Sequence, residues 1–384
     1  MGSLIVKSSI CFTDMYLPSL PAMADYFSAS LPMVQMGLTT SMIGLALGQI
    51  FFGPLSDKYG RRPLLLVSML LFIVSTLFCL FAPDIYSFVT LRLIQGIAGA
   101  GGIVISRSVA IDKFSGKELA KMLAVIGAIN GVAPVAAPVI GGLLTGSVGW
   151  QGIFMILLFI GILLGIGCIR FKESLPAEKR SKTGVWATFR SFGIIVHNRR
   201  YMLYVFQLAF AQGILFAYIA SSPFIIQQHY GFSPFAFSIC FAVNAVAIGV
   251  AAALSVKFRR TENGTLTGCV GMLVFAVLQM AALYSGCGFW TYELLMFALL
   301  FMMGLTFTAS TTLAMDCERR YAGAASALLG ALCFASGGIV SPLVGLGDIL
   351  ISTGVTFVIC AVCSLLCALW AVKRTGPKVA LCRI

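Results

Sequence analysis

Gly53-Pro54-Leu55-Ser56-Asp57-Lys58-Tyr59-Gly60-Arg61-Arg62-Pro63, GPLSDKYGRRP, is the first strongly charged stretch of the chain and lies between two long apolar runs. Its charges, Asp57, Lys58, Arg61 and Arg62, are expected in a tight loop bounded by Gly and Pro, where two hydrophobic helices turn at a membrane face. A loop so short and so charged reads as a moving part rather than a spacer.

The composition places that loop in a membrane protein. Of 384 residues, 59% are hydrophobic and only 10% charged, and the mean hydropathy is +1.00. A soluble domain carries roughly 25% charged residues. Apolar stretches of about 20 residues, the length of a bilayer-spanning helix, recur throughout. Twelve can be drawn: 4–24, 33–53, 64–82, 86–107, 119–145, 150–170, 202–226, 235–257, 265–285, 290–314, 322–346 and 350–372. The fold class is therefore all-α integral membrane, with twelve transmembrane helices.

The net charge of +13 would raise nucleic acid as a partner of a soluble protein, but its distribution excludes that here. With the N-terminus inside, the inner loops hold Lys58, Arg61 and Arg62, Lys113 and Lys117, the run Lys172 to Arg200, Arg259 and Arg260, Arg319 and Arg320, and the tail Lys373 to Arg383. The outer loops hold no Lys or Arg, only Asp25, Asp84, His229 and Asp348. This separation is the positive-inside pattern and predicts both termini in the cytoplasm. The basic balance is topological, and the expected partners are lipids and small molecules rather than nucleic acid.

Twelve cysteines offer no extracytoplasmic disulfide, since only Cys287 falls near the outer face. Cys360, Cys363 and Cys367 fall along one face of the last helix and read as small apolar residues. No cleavable signal peptide is evident; the first apolar run begins almost at Met1, contains Lys7 and reads as trimmed at its start.

The longest polar stretch, 171–201, divides the helices six and six. Within it Trp186, Phe189, Phe192, Ile195 and Val196 recur at helical spacing among basic residues, which predicts a short helix lying on the cytoplasmic leaflet. The expected domains are an N-terminal six-helix bundle (1–170), this basic linker (171–201), and a C-terminal six-helix bundle with a short tail (202–384). Two pseudo-symmetric bundles joined in this way match parallel-repeat secondary transporters.

The energy source follows by exclusion. The chain has no GxxxxGK[ST] phosphate loop, no cluster of metal-ligand spacing and no GxSxG elbow. The expectation is a transporter and not an enzyme, without cofactor or metal, run by an ion gradient.

At this point GPLSDKYGRRP resembles the loop between helices 2 and 3 of the major facilitator superfamily. RLIQGIAGAG, Arg92 to Gly101, is similar to the helix-4 motif of its proton-driven members. APVIGG, Ala137 to Gly142, is similar to the helix-5 antiporter motif GPxxGG, with Ala137 in place of the first Gly. DMYLPSLP, Asp14 to Pro21, resembles the helix-1 signature of the bicyclomycin/chloramphenicol-resistance (Bcr/CflA) group of drug:proton antiporters. The resemblance covers the N-terminal half in register and the C-terminal half mainly by helix count. It implies the major facilitator fold, proton-coupled multidrug efflux and a bacterial inner-membrane location.

The residues themselves suggest roles. Asp14 falls near the bilayer midplane, where an unpaired carboxylate costs several kcal/mol; this makes it a candidate proton carrier that alternates between proton and substrate. Pro18 and Pro21 break helix 1 just above it. Arg92 does not deprotonate and must face a cavity or a partner; Gln95 shares its helix face, and Gly96 and Gly99 admit a close neighbour. The resemblance implies that Arg92 takes part in proton coupling. Pro134, Ala137, Pro138, Gly141 and Gly142 predict a bent, closely packed helix 5, which in the family is tied to exchange and to limiting leak.

Substrate candidates are Asp14, Tyr16, Gln95, Asn130, Gln207, Phe210, Gln212, Tyr218, Asn244 and Phe334. A mostly apolar, aromatic pocket with few polar groups suits lipophilic drugs. The charged string lies about half a bilayer from Asp14, so it is expected to gate rather than bind. The predicted gate comprises Gly53, Asp57, Gly60, Arg61, Arg62 and Arg107, with Asp57 docked on the helix start near Ala322 or paired with Arg107. The expected protein is a monomer that exports amphiphilic antimicrobials in exchange for protons. The alternative is an uptake or metabolite transporter of the same fold.

Overall fold

The computed structural model describes residues 12–114, 116–176, 178, 180, 192–255, 257–258, 260–318 and 322–373. Within these, the side chains of 12–14, 107, 116–117, 119–121, 123–136 and 322–323 lie outside the description. Among the described residues the chain is helical nearly throughout.

Proline and glycine set the punctuation. Helix α1 begins as a 3₁₀ turn, Phe12–Ser19, that contains Pro18, and becomes α-helical over Leu20–Tyr26 with Pro21 in its first turn. Pro18 has no N–H to give to an α-helical ladder, and Pro21 is tolerated at a helix start where that N–H has no partner. Helices α2 (Leu31–Tyr59), α3 (Arg61–Leu80) and α4 (Ile85–Lys113) follow. The segment Gly116–Ile169 is two helices, α5 and α6, joined at Gly149, whose φ of 65° no other residue type adopts freely.

The second half holds α7 (Arg199–Phe224), which widens into a π turn (Ile225–His229) after Pro223, then α8 (Pro234–Ser255) and α9 (Thr261–Tyr284). The last three are α10 (Phe289–Cys317), α11 (Ala322–Leu343) and α12 (Ile349–Lys373). Ten described helices are long and apolar enough to cross a membrane. Together with α1 and α5 they make a twelve-helix, multi-pass membrane protein.

The pairing repeats with an offset of six. In the first half α4 packs on α2 and α3, and α3 packs on α6; in the second α10 packs on α8 and α9, and α9 packs on α12. The two bundles meet where α2 crosses α11 and where α5 meets α8, a pair of contacts that also exchange under the repeat.

Burial is inverted relative to a soluble protein. Leu70, Phe78, Ile169, Val246, Leu294 and Trp370 are exposed, whereas Gln35, Gln49, Arg92, Gln95, Gln207, Asn244 and Gln279 are buried. Lipid tails are as apolar as Leu, so apolar burial does not hold such helices together; close backbone approach and internal hydrogen bonds do. Between α2 and α4, methyl groups on Gly44 or Gly96 would overlap the backbone of Leu93 or Ser41. Across the bundles, Gly330 on α11 and Gly345 in the turn just after it lie against the side-chain oxygens of Gln49 and Gln35 on α2.

In the described end of the linker, residues 192–197 are helical, with Ile195 fully buried against Tyr201, Tyr204 and Leu313 and with Ile194 and Val196 exposed. Asn198 caps α7 by accepting from the Tyr201 N–H and donates to Glu318 Oε1 at 2.6 Å, which fixes this turn to the end of α10. Trp186 and Phe189 lie outside the described residues.

Candidate functional site

Three clusters gather the polar residues. The first surrounds Arg92. Its side chain is fully buried on α4, and its guanidinium carbon lies 4.5 Å from the Tyr16 ring centroid on α1. Nε donates to the Gly37 carbonyl on α2 at 3.4 Å, and Nη1 donates to Gln95 Oε1. Gln95 Nε2 donates to Thr76 Oγ1 at 2.7 Å, and Thr76 in turn donates to the Phe72 carbonyl on α3. One cation thus joins four helices. Nη2 has no partner among the described residues. Tyr16 is set in turn against Phe154 and Phe88, with ring centroids 5.8 and 6.4 Å away. The spacing that placed Arg92 and Gln95 on one face is realised as a direct bond. Asp14 sits in the 3₁₀ segment two residues before Tyr16, and its side chain lies outside the described residues.

The second cluster is the charged string. The structure corrects its expected form: Gly53 to Tyr59 are helical, Arg61 already opens α3, and the turn is Gly60 alone. Gly60 has φ 100° and ψ 160°, a region essentially closed to residues with a Cβ. The side chain of Arg61 is 7% exposed. It donates to Asp57 at 2.5 Å, to Ser56 Oγ at 2.6 Å and, through Nε, to Asp112 on α4 at 2.9 Å. Glu173 accepts from the backbone N–H groups of Arg61, Arg62, Ser174 and Leu175, so it caps the start of α3. These four bonds outweigh the opposing effect of burial and hold its carboxyl below the ordinary range. Arg62 donates to the Ile169 carbonyl, and Gly53 lies 3.8 Å from Val104 on α4 as a methyl would meet it. Asp57, expected to reach Arg107 or the start of α11, accepts from Arg61 across the Gly60 turn, within its own bundle. The Arg107 side chain lies outside the described residues.

The third cluster lies in the second half. Asn244 on α8 donates to Tyr218 on α7 at 3.1 Å and to Glu293 Oε1 on α10 at 2.8 Å. Tyr218 stacks on Phe241 with centroids 5.6 Å apart. Glu293 was not foreseen, although the rule that selects Asp14, an acid inside an apolar run, selects Glu293 in FWTYELLMF as well. Asp112 and Glu173 were also unforeseen, because their partners are distant in sequence.

The remaining residues separate. Gln207 turns toward α9 and α12, where its Nε2 donates to Ser364 Oγ at 3.1 Å and to Cys269 Sγ at 3.4 Å. Gln212 and Phe210 are half-buried elsewhere on α7. Phe334 on α11 packs on Phe216, Leu45 and Ala100 at the junction of the bundles.

The helix-5 motif sits at that junction too. Ala137 is fully buried, a methyl on Gly141 would overlap the Met15 carbonyl of α1, and one on Gly142 would overlap Ser238 of α8. Ser238 Oγ donates to the Pro138 carbonyl at 2.6 Å. The side chains of Asn130 and Pro134 lie outside the described residues. Further cross-bundle bonds run from Gln35 Nε2 to the Ala220 carbonyl at 3.1 Å and from Gln227 Nε2 to the Pro18 carbonyl at 3.0 Å.

Fold and polar clusters together define a multi-pass membrane protein of two repeated six-helix bundles that meet along two helix pairs. The chain belongs to the Major Facilitator Superfamily, which matches residues 4–342. It is 39% identical over 342 residues to an uncharacterised MFS-type transporter, YdgK, of Bacillus subtilis (strain 168), covering 87% of this chain and 85% of that protein. It is 30% identical over 345 residues to a bicyclomycin resistance protein homologue of Haemophilus influenzae, covering 86% and 84%. Among solved structures it is similar to a bacterial homologue of the human lysosomal transporter Spinster, with TM-score 0.77 and 18% identity over 97% of this chain and 96% of that one. The chain is thus a membrane transporter by family.

Proposed function

We propose that the protein is a proton-coupled antiporter that exports amphiphilic antimicrobials of the chloramphenicol or bicyclomycin kind by alternating access of its two bundles. The observation that carries this reading is the seat of Arg92: a permanent, fully buried cation on α4 placed against α1 two residues from Asp14. A carboxylate beside such a cation is stabilised when it has lost its proton, and a cationic or polar drug group competes for it. The protonation state of Asp14 thereby becomes linked to drug occupancy. The names of the resistance-protein relatives support a drug as cargo, and the helix-5 motif at the α1–α5–α8 junction supports exchange between two bundle arrangements.

In this reading the basic ends of the helices face the cytoplasm of a bacterial inner membrane, both termini included. The carrier works as a monomer, with the proton gradient as its energy source. The Asp57–Arg61–Asp112 clamp stiffens the inner end of the first bundle so that it moves as a unit. Drug-dependent alkalinisation of acid-loaded everted vesicles tests the proposal. Wild type alkalinises on drug addition and Asp14→Asn does not; an Asp14→Asn variant with wild-type exchange sinks the assignment. Drug accumulation instead of extrusion in a pump-deficient host establishes an uptake carrier.

A further inference from the structure

Glu293 lies four residues into α10, and its neighbours are unusual for a carboxylate in a membrane protein. Oε1 accepts from Asn244, while Oε2 is inaccessible and has no hydrogen-bond partner among the described residues. Asn244 Oδ1 and the Tyr292 hydroxyl are also buried without partners. Every described ion pair lies elsewhere, at Arg61 and Arg180.

Among the described residues the groups that face Glu293 include no cation: Tyr218 from α7, Cys240 and Asn244 from α8, Tyr292 on α10 itself, and Tyr230 just beyond α7, which packs toward Tyr292. The ionisable residues of α9 lie elsewhere: Glu262 at its opposite end, Cys269 against Gln207 and Ser364, and Tyr284 exposed. The described part of α11 offers only Cys333. A carboxylate enclosed without a cation is costly, whereas a carboxylic acid there supplies an O–H donor in a cluster where a hydroxyl and an amide oxygen have none.

We propose that Glu293 is a second exchangeable-proton site, located in the C-terminal bundle and independent of the Asp14–Arg92 site. The step is simple protonation: the carboxylate and one proton from water give the acid, and deprotonation returns that proton to water. Its consequence is local to α7, α8 and α10. The acid donates from one oxygen and accepts from Asn244 at the other, and the carboxylate only accepts, so the Asn244–Tyr218 bridge has two hydrogen-bonding patterns. The suggestion that this proton is used in transport rests on the antiport reading; its existence does not.

The test is infrared difference spectroscopy of the full-length protein in lipid nanodiscs, titrated from about pH 5 to about pH 9. A protonated-carboxyl C=O band that titrates is expected to persist in Asp14→Asn and to be lost from that background when Glu293→Gln is added. Asn244→Leu, which removes the donor to Oε1, is expected to move the band and its midpoint even if Glu293→Gln proves too unstable to purify. An equal band in Asp14→Asn with and without Glu293→Gln, a band unmoved by Asn244→Leu, or a band that follows sodium instead of pH overturns the proposal. A titrating Glu293 in a protein that carries no drug leaves the site standing and sinks only the antiport reading.

Discussion

The guanidinium of Arg92 covers the ring of Tyr16, with its central carbon 4.5 Å from the ring centroid. This contact joins α4 to α1 through an aromatic face, and in a desolvated setting such a pair contributes roughly 2 kcal/mol. The aromatic face is what matters, so the hydroxyl and the ring can be separated experimentally. Tyr16→Phe is expected to retain most of the thermal stability of the detergent-purified protein, and Tyr16→Leu to lower its melting temperature by several degrees. Equal losses in the two variants would show that the ring does not hold Arg92.

The two acids on Arg61 are not equivalent. The side chain of Asp57 is 47% exposed and that of Asp112 14%. A largely exposed surface pair contributes about 0–1 kcal/mol, whereas a shielded charged hydrogen bond contributes about 1.5–3 kcal/mol. Asp112→Asn is therefore expected to destabilise the fold more than Asp57→Asn in thermal melts, although Asp57 is the residue that the sequence motif brings to attention. A larger loss for Asp57→Asn would mean that Asp57 has a further partner in another conformation.

Legibility in the sequence followed the range of the interaction. Helices announced themselves by length and composition, and Arg92 with Gln95 by spacing along one helix. The third member of that network, Thr76, is on another helix, and nothing local marks it. GPLSDKYGRRP was visible as a motif, yet its shape was misjudged: charge suggested a loop, while Arg61 is buried because Asp57, Ser56, Asp112 and Glu173 together satisfy it. Gln207 and Asn244 look alike as polar residues in apolar runs. Only packing distinguishes them, since Gln207 meets neutral Ser364 and Cys269, and Asn244 meets Glu293. Glu293 itself was legible by the same reasoning that selected Asp14.

Glu173 gives a pH signature. Its carboxyl is held below its ordinary value of 4.5 by four backbone N–H groups, so its contribution favours the folded state while it is ionised. That contribution is complete above the unfolded value and is lost as pH falls through the lower folded value. Wild type is expected to melt above Glu173→Gln at neutral pH, with the gap closing only below about pH 4.5. A gap that is constant with pH would mean that the side chain acts through packing and not through its charge.

The contact of Gly142 with Ser238 is the last test, because it lies between the bundles and not within one. A methyl on Gly142 meets Ser238 Oγ and the Pro234 carbonyl, whereas one on Gly146, a turn further along, meets nothing within 4 Å. Overpacking of a closed interface costs about 1–3 kcal/mol, and here the strain is relieved by separation of α5 from α8. Gly142→Val is thus expected to part α5 from α8 at this contact, and Gly146→Val to leave the contact closed. With Ser238→Cys as reporter, which is fully buried in wild type, labelling by a membrane-impermeant maleimide is expected to rise at least tenfold in the Gly142→Val background. Transport is expected to fall in parallel, since a carrier biased toward one state cannot complete its cycle. Unchanged labelling with reduced transport would place the role of Gly142 in the α5 backbone bend and not in the contact with α8.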